Sequence, residues 1–129
     1  MTTRFILPNK QPPYSKGVLH DNKYTLEVSG HVGFDPATGK LAQGIEQQTE
    51  KTLDAIKKVL AEVGWGFENI TKVRIYLLDM KDYSVVNQIY ARYFNGEFPS
   101  RVAVAVKQLP MDALIEIECT ATGSSVKQS

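Results

Sequence analysis

The chain has 129 residues, 43% of them hydrophobic and 22% charged, which is the make-up of one globular domain and excludes disordered, collagen-like and mucin-like chains. Its 15 Lys and Arg balance 14 Asp and Glu for a net charge of +1, far from the basic balance of a nucleic-acid binder. The lone Cys119 and two histidines exclude an internal disulfide and a Cys/His metal cluster, and point to a reducing, cytoplasmic setting with no metal. The longest apolar run, residues 102–106, is far short of the roughly 20 residues a membrane span needs, and residues 1–7 are too short for a signal peptide.

Residues 4–7, 17–20 and 24–29 read as short strands, with Asp21-Asn22 as a hairpin turn. Tyr24, Leu26 and Val28 alternate with Thr25, Glu27 and Ser29, the period of a half-buried strand. Asp35-Pro36-Ala37-Thr38-Gly39 then makes a turn. Between residues 45 and 63 the period changes: Ile45, Thr49, Leu53, Ile56, Leu60 and Val63 recur at three and four, predicting a helix that Gly64 stops. Val73, Ile75 and Leu77 give a strand. A second helix follows over 83–94, with Val86, Tyr90 and Tyr93 along one side and Asp82 as its N-cap. Residues 95–100 break it, and 101–107 and 114–121 are two final strands. The chain is thus read as one α+β domain over 1–129, with a polar tail at 123–129 that frays.

The order β-β-β-α-β-α-β-β suits a mixed six-stranded sheet with two helices on one face. Nothing in the chain remains to cover the other face. Val102, Val104 and Val106 on one parity and Ala103 and Ala105 on the other predict self-association through it.

Arg101 opens a strand after a proline-stiffened loop, with small Ala103 and Ala105 next on its face. It reads as a carboxylate fork beside an open space, as a surface arginine lying along the strand, or as one paired with a structural glutamate. Glu116 and Glu118 share one face of the last strand, and are either solvated or, under a covering subunit, desolvated and able to hold a water. Tyr14 sits in a loop after Pro12-Pro13 and reads either as a packing residue alone or as a packed ring whose hydroxyl enters a cleft. Ser29-Gly30-His31-Val32-Gly33 lacks dinucleotide-loop spacing, so Gly30 marks a bulge or a close backbone approach. His20 and His31 have no nucleophile partner, and Cys119 has the parity of Ile115 and Ile117, that of a buried thiol.

Phe98-Pro99-Ser100-Arg101-Val102-Ala103-Val104, continued through Leu109-Pro110 to Ile115-Glu116-Ile117-Glu118, resembles the signature of the RidA family (reactive intermediate deaminase A, also YjgF or L-PSP). Pro13-Tyr14 with Gly17, Ser29-Gly30, the Asp35–Gly39 turn, the helix from Gln48-Thr49, and Val86-Asn87 with Tyr90 and Tyr93-Phe94 extend the likeness over nearly the whole chain. The resemblance implies the chorismate-mutase-like fold and a homotrimer around a central barrel, with clefts between subunits. It implies a cofactor-independent hydrolase that deaminates 2-imino acids and 2-aminoacrylate-type enamines to 2-keto acids and ammonia. By it, Arg101 clamps the substrate carboxylate, Glu116 orients the attacking water, Tyr14 lines the cleft, and Ser29, Gly30, Ala103 and Asn87 contact substrate. The chain departs from the pattern at Ala103, where many bacterial members have cysteine, and in two loop lengths. Two other readings stand beside it: a non-catalytic trimer that binds small 2-keto acids through the same Arg101 pocket, and an endoribonuclease or translation inhibitor, which the neutral charge and the lack of an aromatic-basic face or a His pair disfavour.

Overall fold

The computed structural model describes residues 3–128. Met1, Thr2 and Ser129, the outer ends of the expected terminal segments, lie outside the described residues. β1 (Thr3–Lys10) and β2 (Pro13–His20) form an antiparallel hairpin turning at Gln11-Pro12. β3 (Tyr24–Val32) follows, then the short pair β4 (Phe34–Asp35) and β5 (Lys40–Leu41) on either side of the expected turn, where the Asp35 carbonyl accepts from Gly39 N at 2.9 Å. α1 (Gly44–Ala61), β6 (Ile70–Leu77), α2 (Tyr83–Ala91), β7 (Ser100–Ala105) and β8 (Ile115–Gly123) complete the order. Among the described residues no helix is long and apolar enough to cross a membrane.

The main sheet runs β3-β8-β6-β7, antiparallel except for the parallel β6-β7 pair that α2 connects. The expected six-stranded sheet is thus these four strands with the β1-β2 hairpin set against the β7 edge, where Ser15 N donates to the Pro99 carbonyl at 3.0 Å. Asp21-Asn22 is correspondingly not a hairpin turn, because β2 pairs with β1 and β3 with β8. Asn22 instead ties β1 to β8, its Nδ2 donating to Thr3 and Thr122 hydroxyls at 3.0 and 2.8 Å.

Register divides the sheet into two faces. Val73, Ile75 and Leu77 of β6 stand beside Cys119, Ile117 and Ile115 of β8; all are buried and pack with Leu53, Ile56 and Leu60 of α1 and Val86, Ile89 and Tyr90 of α2. The alternate residues Lys72, Arg74, Tyr76, Glu116 and Glu118 are only half-buried, and Val102 and Val104 are each 41% exposed. This is the uncovered face that the element order predicts.

Gly64 ends α1 as expected, in a Schellman motif: Trp65 N donates to the Leu60 carbonyl at 3.0 Å, Gly64 N donates to Ala61 at 3.0 Å, and Gly64 stands at φ +79°. Two other ends differ from expectation. Asp82 occupies the N-cap of α2 but its side chain makes no capping bond; Asp79 Oδ1 accepts from Lys81 N at 2.9 Å one turn earlier and opens the entry to the helix. β8 runs past Ala121 to Gly123, and the segment beyond is docked, with Trp65 Nε1 donating to the Ser125 carbonyl at 2.8 Å and Lys127 N to Val63 at 2.9 Å.

Candidate active site

Arg101 is positioned from both sides of its strand. Before it, Phe94 and Phe98 pack on Tyr90 with ring centroids 4.7 and 6.4 Å away, which fixes the loop that leads into β7. Ser100 Oγ donates to the Thr71 carbonyl at 2.9 Å and holds the strand start against β6. Arg101 pairs with Val73 in the β6 register, so its side chain leaves on the helix-covered face. There its guanidinium meets α2. Nη2 donates to the Tyr83 hydroxyl at 3.2 Å, and Cζ lies 5.0 Å from the Tyr90 ring centroid and 5.6 Å from that of Tyr83.

The guanidinium is therefore seated on the tyrosines of α2, and Ala105, further along the strand, is exposed. Ala103 is half-buried against the core. Four side-chain polar atoms in the described residues are sealed from solvent without a hydrogen-bond partner: Arg101 Nη1, Asn87 Oδ1, Tyr90 Oη and Ser15 Oγ. Three of them belong to this α2–β7 contact. Burial pushes the Tyr90 phenol far above its ordinary range, with Arg101 pulling the other way, so it stays neutral. Tyr83 and Asn87 also line a cleft of about 420 Å³ between α2 and the hairpin tip at Lys10, Gln11, Pro12 and Pro13.

Glu116 lies elsewhere. It pairs with Tyr76 of β6 and Val32 of β3, which places it on the uncovered face, the opposite side of the sheet from Arg101. The β3-β8 register shifts between Val28 and His31, so Ser29 and Gly30 form a bulge beneath it. A Cβ on Gly30 would overlap Glu116 Oε2: the carboxylate occupies the space that glycine leaves. Glu118 accepts from the Tyr76 hydroxyl at 2.5 Å, and this bond with burial raises the phenol's pKa. Gln48, buried at the start of α1, accepts from Leu114 N at 2.9 Å and so holds the strand that carries Glu116.

Tyr14 is on strand β2 rather than in a loop, because the hairpin continues to its tip and pairs Tyr14 with Asn9. It alternates with buried Pro13 and Ser15 and is itself half-buried. The candidate residues thus form two groups: Arg101, Ala103 and Asn87 around α2 and β7, and Ser29, Gly30 and Glu116 around the bulge. Tyr83 and Tyr90, which sequence reasoning did not associate with Arg101, belong to the first group. The available signal was their spacing with Asn87, three polar-tipped residues on one helical face. Cys119 is inert by position, its thiol pushed up from 9.0 to about 12 by burial.

The family model described as endoribonuclease L-PSP matches residues 7–123. A RutC family protein of Pyrococcus horikoshii is 41% identical over 88% of this chain and 90% of its own. The human protein named 2-iminobutanoate/2-iminopropanoate deaminase is 37% identical over 88% of this chain and 82% of its own. The solved structure of YyfA, a Rid family protein from Yersinia pestis, superposes with a TM-score of 0.74 at 36% identity, covering 94% of this chain and 99% of that one. The matched residues take in the main sheet, both helices and the strands that carry Arg101 and Glu116, and the chain belongs to the L-PSP family of RidA and YjgF proteins.

Proposed function

We propose that this protein is a hydrolytic deaminase of 2-imino acids and their 2-aminoacrylate-type enamine tautomers, giving 2-keto acids and ammonia. The observation that carries the reading is Arg101, a guanidinium seated on two neutral aromatic rings with one nitrogen lacking any acceptor. Such a group is built to receive an anion, and a carboxylate matches its fork. Several mammalian relatives of this chain carry the deaminase name.

Arg101 and Glu116 on opposite sheet faces do not reach one small substrate within a subunit. The reading therefore includes a homotrimer in which the Arg101 group of one subunit meets the Glu116 group of the next, with Tyr14 lining the cleft and Ser29, Gly30, Ala103 and Asn87 contacting substrate. Covering the exposed Val102 and Val104 face would drive the assembly.

An iminium carbon is already electrophilic, so positioning supplies most of the catalysis and no cofactor is needed. Glu116 accepts a proton as water oxygen bonds to that carbon and the C=N π electrons move to nitrogen. The proton passes to the amine. The carbinolamine hydroxyl then loses its proton to Glu116, its electrons form C=O, and the C–N bond breaks to release ammonia. RNA cleavage is less well supported, because His20 and His31 are engaged locally: His20 Nδ1 accepts from Asn22 N at 3.1 Å, and His31 Nδ1 lies 2.7 Å from the Ser29 carbonyl.

The test couples a threonine dehydratase to the protein and follows 2-iminobutanoate by trapping it with semicarbazide. Wild type accelerates its loss, and Arg101→Ala lowers kcat/KM by about 30-fold or more, as expected for losing one partner of a desolvated charge pair. An unchanged kcat/KM would remove Arg101 from the site. Binding of 2-oxobutanoate without acceleration would favour a 2-keto acid regulator instead.

A further inference from the structure

A guanidinium at the end of a long side chain rotates about its last bonds, and a rotating fork receives a carboxylate poorly. A neighbouring acid is the common way to hold it still. That solution neutralises the cation and competes with the incoming anion. Around Arg101 the holding groups carry no charge: the Tyr90 ring beneath it, the Tyr83 ring beside it, and the Tyr83 hydroxyl, which accepts from Nη2 at 3.2 Å.

The two tyrosines are not equivalent. Tyr90 is fully buried and its hydroxyl has no partner, so it serves as a platform. Tyr83 is half-buried, opens α2 directly after the turn at Met80–Asp82, and forms a wall of the cleft that faces the hairpin tip. Its hydroxyl makes the hydrogen bond to the fork, at Nη2.

We propose that the Tyr83 hydroxyl is a positioning group for carboxylate binding. By taking one N–H of Nη2 it sets the plane of the Arg101 guanidinium without cancelling its charge, and leaves Nη1 without a protein acceptor. The proposal rests on the deaminase reading for the identity of the substrate, but not for the carboxylate that Arg101 receives.

Tyr83→Phe keeps the ring and removes only the hydroxyl, so the packing at the start of α2 is preserved. The measurements are the Kd for 2-oxobutanoate by calorimetric titration, and KM and kcat for 2-iminobutanoate. Loss of one hydrogen bond that orients a charged group raises Kd and KM by about threefold to tenfold, with kcat within about twofold of wild type. In an Arg101→Lys background the same change has no further effect on Kd, since the planar fork it orients is gone. Tyr93→Phe, which removes a phenol that donates to Asp54 at 2.9 Å on the outer side of α1, leaves Kd and KM at wild-type values and controls for general loss of a hydroxyl. Wild-type Kd and KM in Tyr83→Phe overturn the proposal. If wild type binds 2-oxobutanoate without hydrolysing the imine, the deaminase reading falls and the Kd comparison still decides the role of Tyr83. If wild type does neither, both fall.

Discussion

Glycine at position 30 is a matter of space. Its Cβ would meet the end of a flexible carboxylate, Glu116 Oε2, rather than any backbone atom. In Gly30→Ala the glutamate therefore swings aside at little expense to the fold, and the water that the proposed mechanism assigns to it moves with it. We expect kcat/KM to fall by about 10- to 100-fold, the scale of an ångström misplacement at a reacting group, while the urea midpoint changes little. Steady-state kinetics beside a denaturation curve separates the two; full activity in Gly30→Ala would show that the Glu116 carboxylate need not lie over the bulge. The bulge itself was legible, because glycine inside an alternating strand gives up side-chain packing and marks a bulge or a close approach of another group. Arg101 and Glu116 stood out through their motif. Their surroundings did not: the docking of α2 is set by long-range packing, and it is that helix that brings Tyr83 and Tyr90 to the guanidinium.

Elements with a strong period came through intact. The run from Ile45 to Leu60 is helical because its apolar residues return to one stripe, and its stop at Gly64 is chemical: a residue at φ +79° that lets Trp65 and Gly64 satisfy the last carbonyls. A side chain there would also stand 3.0 Å from Lys127 Cβ in the strap that crosses the helix end. Gly64→Ala should accordingly lose about 1–2 kcal/mol of stability, from the left-handed backbone alone, and more if the strap is displaced. Chemical denaturation measures it, and kcat/KM should not change because the helix end lies apart from both residue groups. A stability equal to wild type would mean that the helix finds another ending. Elements defined by pairing rather than period were harder to place. Asp21-Asn22 has the chemistry of a hairpin turn, but which strands pair is decided by the sheet as a whole, where β3 joins β8 from the far end of the chain. The polar 123–127 segment looked like a fraying tail since nothing in its composition announces that Trp65 and Val63 will bind its backbone.

At the scale of the molecule, the decisive fact is parity. Val73 and Tyr76 on β6 point to opposite sides of the sheet, so Arg101 beside the first and Glu116 beside the second are kept apart by the sheet itself. Uniting them requires two copies that present different surfaces to each other, the α2–β7 edge of one against the bulge face of the next. Such a contact is heterologous, and a heterologous contact that closes gives a ring, not a two-fold dimer. The sequence announced an uncovered face through its apolar residues on both parities, and the structure gives that face a mixed character, with Val102 and Val104 beside Arg74, Glu116 and Glu118. The arrangement makes a quantitative prediction. Arg101→Ala and Glu116→Gln are each nearly inactive as pure assemblies. When the two are unfolded together in equal amounts and refolded, a site is complete wherever an Arg101 from the second variant faces a Glu116 from the first. Random assembly produces that pairing at about a quarter of the clefts, because each side of a heterologous contact is drawn independently. The mixture should recover about a quarter of wild-type activity per subunit. Were both residues to act within one chain, every chain in the mixture would lack one of them and no activity would return, whatever the mixing ratio.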